Sequence, residues 1–207
     1  MVLDAAHGGD DPGGRLANGQ PEKAFTLALS VRLRSLLTAR GIPVVATRES
    51  DGGVDLDRRA EIANRANAQA CLSLHASESG SGVHLFVSSL APVSHTSDKE
   101  PSLGAPVQSE RFIAWRTAQA AAVNRSLALA GVLNSALLHA GMTVTLGRTS
   151  LLAVDSMTCP ALAVEVAPER SPGHKATAEL DNPGYQARVA EALAAALLEW
   201  RAEARLP

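Results

Sequence analysis

Four side chains stand where chemistry can be done: His7, Glu22, His75 and Glu165. His7 ends the apolar run of residues 2–6 and opens the loop Gly8-Gly9-Asp10-Asp11-Pro12-Gly13-Gly14, while His75 closes the run Leu72-Ser73-Leu74. Glu22 begins a helix after a turn through Asn18, Gly19 and Pro21. Two imidazoles and one carboxylate form a ligand set that holds zinc and leaves one position open for a reacting group. These three residues are widely separated and follow no local pattern of the HExxH kind, so each also has an ordinary reading. A histidine at a strand end can simply be hydrogen-bonded, and a first-turn glutamate is favoured by the helix dipole. Glu165 is different, because Ala161-Leu162-Ala163-Val164 precede it and Val166-Ala167 follow it. Such a run predicts a strand buried on both faces, where a carboxylate without a partner costs several kcal/mol. Its two readings are a functional acid and a salt bridge to Arg148 or Arg59.

For these residues to meet, the elements around them must be strands whose ends share one edge of a sheet. The spacing predicts strands over 2–6, 42–47, 71–76 and 82–88, with a further apolar segment at 151–154 and a strand at 161–166. A helix over 22–40 carries Phe25, Leu29, Leu33, Leu36 and Leu37 on one face, with Gly41 placed to stop it. Asp55 is placed to cap a helix over 56–68 with a weak stripe of Leu56, Ala60, Ala63 and Asn67. Prolines and serines make 89–110 irregular. An alanine-rich helical region follows over about 112–139, broken at Asn124 or Gly131, and Asn182-Pro183 starts the last helix. This alternation predicts an α/β fold: a single domain over 1–207, with a mixed, mostly parallel twisted sheet of about six strands and helices on both faces. It carries an irregular and helical insertion at about 89–144. If the strands that end at His7 and His75 are parallel neighbours, their imidazoles converge.

Composition narrows the function. With 19 basic and 21 acidic residues the net charge is −2, which gives no polyanion-binding face, and 3% aromatic residues give no base-stacking platform, so nucleic acid is excluded as a partner. The apolar run at 192–198 is far too short to span a bilayer. The chain passes from Met1 straight into a core strand, which we read as an excised domain whose targeting segment lies outside it. Cys71 and Cys159 form no CxxC pair. Buried free thiols are expected by the burial habit of cysteine, with a disulfide the open alternative. His84 follows the second histidine strand and has two readings, cleft or core; His95, His139 and His174 are expected on the surface or in loops.

Several segments, in order, resemble one family. They are Val2-Leu3-Asp4-Ala5-Ala6-His7-Gly8-Gly9, Pro21-Glu22-Lys23, Leu56-Asp57-Arg58-Arg59-Ala60-Glu61-Ile62-Ala63-Asn64, Leu72-Ser73-Leu74-His75-Ala76 and Pro160-Ala161-Leu162-Ala163-Val164-Glu165. Together they are similar to the zinc-dependent N-acetylmuramoyl-L-alanine amidases of bacterial cell-wall hydrolysis. The resemblance covers about 2–88 and 145–200. It implies His7, Glu22 and His75 as ligands of Zn2+, Glu165 as the catalytic residue, and peptidoglycan as substrate. The bond cut would join N-acetylmuramic acid to L-alanine, in a periplasmic or extracellular compartment. The alternatives are a catalytically inactive cell-wall binding module on the same fold and a zinc peptidase acting on free peptides. The sequence departs from the family pattern at Ala5-Ala6, at Ser77 and at Val166-Ala167-Pro168-Glu169, which bears on loop shape and substrate contacts rather than on the metal set. Some relatives carry a helix over the zinc in the region of the 89–144 insertion. Here that segment is expected to hold the enzyme back, with Glu100 or Glu110 at the open position, until an activator protein removes it.

Overall fold

Alternation within the strands decides the architecture. The computed structural model describes residues 1–92, 115–170 and 176–203. Six strands, β1 (Val2–Ala5), β2 (Val45–Ala46), β3 (Cys71–Ala76), β4 (Val83–Ser88), β5 (Val144–Thr149) and β6 (Ala161–Val166), form one sheet in the order β2-β1-β3-β6-β4-β5. β2, β1, β3 and β6 run parallel; β4 is antiparallel to β6 and parallel to β5. A two-stranded antiparallel ribbon, β7 (Glu169–Arg170) with β8 (Ala176–Ala178), lies outside this sheet.

Successive side chains of a strand point to opposite faces. Leu3 of β1, Leu72 and Leu74 of β3, Val83, Leu85 and Val87 of β4, and Leu162, Val164 and Val166 of β6 all enter the main core. There they meet the apolar faces of α1 (Glu22–Thr38), α3 (Val123–His139) and α4 (Pro183–Glu203). Phe25, Leu29, Leu33 and Leu37 of α1 are buried as its stripe predicts, each worth about 1.5–3 kcal/mol. The helix is closed at Gly41, whose φ is 71°: the Ile42 N–H returns to the Leu37 carbonyl and the Gly41 N–H to that of Thr38, both at 3.0 Å. On the other face Val2, Cys71 and Ala161 pack against Ala60 and Ala63 of α2 (Leu56–Arg65), with Val154 and Met157 completing a smaller core. The expected α/β sheet with helices on both faces is therefore present.

Asp55 caps α2 by accepting the Arg58 N–H at 2.7 Å, and Asn182 Oδ1 accepts the N–H groups of Gly184 and Tyr185 ahead of α4. Leu56, read as part of the buried stripe of α2, is exposed instead; Arg59, Ala60 and Ala63 are the buried positions. The apolar segment 151–154 runs through a turn into a short 3-10 helix (Val154–Ser156), and the sheet's outer strand on that side is β5. As an edge strand with mostly exposed side chains, β5 has no apolar run to betray it. The alanine-rich region is a 3-10 turn (Trp115–Ala121) followed by α3, so the break falls just before Asn124. Leu129, Leu133 and Leu137 of α3 sit in the main core.

Cys71 and Cys159 are joined in a disulfide, which corrects the expectation of two free thiols. The reason is topological. β3 and β6 are hydrogen-bonded neighbours with Cys71 opposite Ala161, so Cys159, just ahead of β6, lies with its Cα 6.2 Å from that of Cys71 despite a sequence separation of 88. Closing so long a loop restricts the unfolded chain and contributes about 2–4 kcal/mol. Reduction, or Cys71→Ser with Cys159→Ser, should lower the melting temperature by roughly 4–16 °C at this size. Unchanged melting with and without reductant would contradict the bridge.

Candidate metal centre

The carboxyl ends of β1, β3 and β6 share one edge of the sheet, with the start of β4 beside them. Ligand sites of open α/β sheets lie at such an edge. His7 leaves β1 there. Cys71, Ser73 and His75 alternate along one face of β3, and Ala161, Ala163 and Glu165 along the same face of β6, with His75 opposite Glu165 and Glu165 opposite His84. Glu22, at the first position of α1, reaches the edge from the side of the main core.

His7, Glu22 and His75 each offer a ligand atom, and these atoms lie within 4.8 Å of one another. His7 Nε2 is 3.1 Å from Glu22 Oε2, and His75 Nδ1 is 3.1 Å from Glu22 Oε1. Donors sharing one tetrahedral zinc at about 2.0–2.1 Å stand roughly 3.3 Å apart, so the two histidine–carboxylate spacings fit. Each ring also meets a partner on its other nitrogen. His7 Nδ1 is 2.8 Å from Asp11 Oδ2, a carboxylate that accepts its N–H. Ser73 Oγ donates to Asp4 Oδ2 at 2.8 Å and stands 3.4 Å from His75 Nε2, a long contact. His7 Nε2 and His75 Nδ1 are thus the nitrogens turned to Glu22, and the two rings cross edge to face at 5.6 Å. Two imidazoles and one carboxylate so placed would hold a divalent ion.

Glu22 is buried. Burial pushes its carboxyl up, but the His75 hydrogen bond, the Gly14 and Ala76 N–H groups and the His7 ring outweigh this and hold it at about 2. It thus stays an anion, as holding a metal would require. Gly13, at φ 65°, makes room for it: a Cβ there would lie 2.5 Å from His7 Cδ2 and 2.8 Å from Glu22 Oε2.

His7 itself has φ 61°, a left-handed conformation that costs a non-glycine residue about 1–3 kcal/mol. Two buried arginines hold it there. Arg59 donates to the His7 carbonyl at 2.6 Å and the Ala5 carbonyl at 2.7 Å, and Arg48 to the carbonyls of Ala5 and Ala6 at 2.9 and 3.0 Å. Arg59 also pairs with buried Asp4 at 2.6 Å. Asp4 takes further hydrogen bonds from Thr47 and Ser73, so one carboxylate ties β1, β3 and α2 behind His7 and His75.

Glu165 is half-buried, and its Oε1 lies 3.0 Å from Nδ1 of His84. Neither arginine considered as its partner reaches it: Arg59 serves Asp4, and Arg148 serves the carbonyls of Ser88 and Leu90. A cleft of about 850 Å³ opens beside His7 and His75, with Leu56, Arg116 and Leu152 among its lining residues. His139 is exposed and bonds to the Ser135 carbonyl, whereas His95, Glu100, Glu110 and His174 lie outside the described residues. Asp4, Asp11 and Ser73 join this site without standing out in the sequence. The available signal was period two: Ser73 and His75 share a strand face, as do Val2 and Asp4.

Among the described residues no helix is long and apolar enough to cross a membrane. Over 76 residues, 37% of the chain and 26% of the relative, the sequence is 41% identical to N-acetylmuramoyl-L-alanine amidase AmiA of Escherichia coli (strain K12). It is 39% identical over 82 residues to the sporulation-specific N-acetylmuramoyl-L-alanine amidase of Bacillus subtilis (strain 168), 39% of the chain and 32% of that relative. The matched segments thus span about a quarter to a third of these curated relatives. Among solved structures, the N-acetylmuramyl-L-alanine amidase Ami1 from Mycobacterium smegmatis superposes with a TM-score of 0.72 at 21% identity, covering 98% of this chain and 96% of that one. The model of the Amidase_3 family, described as N-acetylmuramoyl-L-alanine amidase, matches residues 1–199. Matched over nearly its whole length, the chain belongs to the N-acetylmuramoyl-L-alanine amidase family.

Proposed function

We propose that this chain is a zinc-dependent amidase that hydrolyses the bond between the lactyl group of N-acetylmuramic acid and L-alanine in peptidoglycan. The observation that carries the reading is the convergence of His7 Nε2 and His75 Nδ1 on the two oxygens of Glu22, three ligand groups whose atoms lie within 4.8 Å of one another. His7, Glu22 and His75 would hold the ion, with Asp11 and Ser73 fixing the two rings. Zinc bound there supplies a Lewis acid that activates water at neutral pH. Glu165 would do the proton work. Its Oε1 is engaged by His84, which leaves Oε2 to take a proton from the attacking water and deliver it to the departing amide nitrogen. The C–N bond breaks, hydroxyl ends on the lactyl carbonyl carbon, and the peptide leaves with a free L-alanine amino group. The cleft beside His7 and His75 gives a glycan-linked peptide room to lie across the edge of the sheet.

The Cys71–Cys159 disulfide supports a place outside the cytoplasm, in the cell envelope, since such bridges persist in oxidising compartments. Control by an activator acting on the 89–144 insertion belongs to the same proposal, although residues 93–114 lie outside the described residues. Deleting residues 93–114 should raise activity on isolated walls. Lower or equal activity in a folded deletion variant would count against a covering segment.

The test is metal content measured together with product. The purified protein should carry about one zinc per chain, by the one such group among the described residues. A chelator should abolish release of stem peptides that begin with L-alanine, and added zinc should restore it. Zinc at 100 times its dissociation constant should also stabilise the fold by about 2.7 kcal/mol. Full activity without metal would end the proposal, and products cut within the peptide would make the enzyme a peptidase instead.

A further inference from the structure

The side chain of His84 has no place in the ligand set, yet the fold goes to some length to seat it. His84 lies on β4 directly opposite Glu165 in the antiparallel pair with β6. Directly opposed side chains of an antiparallel pair share a face and touch. The His84 Nδ1–H donates to Glu165 Oε1 at 3.0 Å, and its side chain is more deeply enclosed than that of Glu165. The ring sits over Gly80, whose φ is 83° and where a Cβ would come within 2.2 Å of Cε1 and 2.6 Å of Nε2. Phe86, two residues on and on the same face, sets its ring edge-to-face with the imidazole at 6.2 Å. Glycine on one side and phenylalanine on the other leave the ring little freedom to turn away.

We propose that His84 is a positioning residue that holds the carboxylate of Glu165 in its working orientation; this rests on the reading of Glu165 as the proton carrier. A glutamate has three side-chain torsions, and holding them costs rotamer freedom. β6 fixes the Cα of Glu165 but leaves its carboxylate free to swing. His84 supplies the hydrogen bond that holds Oε1, and among the described residues it is the side chain paired with Glu165. The bond stays in place while Oε2 carries the proton, so His84 neither gains nor loses one during the reaction.

The zinc-loaded protein tests this. His84→Leu removes the donor, and kcat on purified peptidoglycan should fall about 10–100-fold, the usual effect of losing an orienting partner, with KM little changed. His84→Asn places an amide N–H near the position of Nδ1 and should recover most of the loss, which a merely structural role would not give. A second readout needs no turnover: in nitrogen-15 spectra the ring resonances of His84 should report a protonated Nδ1 and shift in Glu165→Ala. If His84→Leu does not fold, those spectra decide alone, and a His84 signal indifferent to Glu165→Ala overturns the pairing. An active parent with equal kcat in His84→Leu overturns the positioning role while leaving the amidase reading intact. A parent that releases no peptide beginning with L-alanine overturns that reading and the positioning role with it.

Discussion

Glu165→Gln should cut turnover on purified peptidoglycan by roughly 10²–10⁴-fold, the range lost when a positioned proton carrier is removed. The amide keeps the size and shape of the carboxylate and can still accept the N–H of His84 through its oxygen. It cannot take a proton from water. Because Glu165 stands outside the group formed by His7, Glu22 and His75, zinc content should equal the parent's. The decisive experiment is elemental analysis and rate measurement on the same preparation. A variant with full metal and near-parental rate would make Glu165 a structural acid, whereas loss of the metal would move it into the ligand set.

Asp4→Ala should be the most damaging substitution for the fold. Asp4 is 1% exposed and accepts hydrogen bonds from Arg59 at 2.6 Å, Thr47 at 2.7 Å and Ser73 at 2.8 Å. Removing it leaves the Arg59 guanidinium buried without its counter-charge. Stranding one member of a buried ion pair costs about 3–5 kcal/mol, which at this chain length corresponds to a melting temperature lower by roughly 6–20 °C. The site should suffer too, since Ser73 loses the acceptor that sets its orientation toward His75. Thermal denaturation followed by circular dichroism checks the first effect and zinc affinity the second. A variant that melts with the parent would show that Arg59 finds another anion.

How much of this was readable from residues alone differs by element. Long periodic segments declared themselves: the leucine stripe of α1, the Asp55 cap and the Asn182-Pro183 start are each fixed by neighbours a few positions away. The three candidate ligands and Glu165 were recognised as chemistry-bearing types, and the fold does gather His7, Glu22 and His75. Spacing could not bring them together, because their proximity comes from the strand order β1-β3-β6 and not from any local pattern. The same limit hid the disulfide, the Asp4 hub and the partner of Glu165, all of which join positions far apart in the chain. His84 reads equally as cleft or core in the sequence, because one histidine in an alternating strand is at home on either face until its opposite number is known. β5 was missed for another reason: a strand at the rim of a sheet needs no apolar face.

The bridge between Cys71 and Cys159 has a bearing on the chemistry at the opposite end of the same two strands. Sliding β6 along β3 by a single residue would turn Glu165 to the reverse side of the sheet from His75. A covalent tie at the head of the pair forbids that slip, so oxidation in effect commits the nascent molecule to the one alignment in which acid and imidazole look the same way.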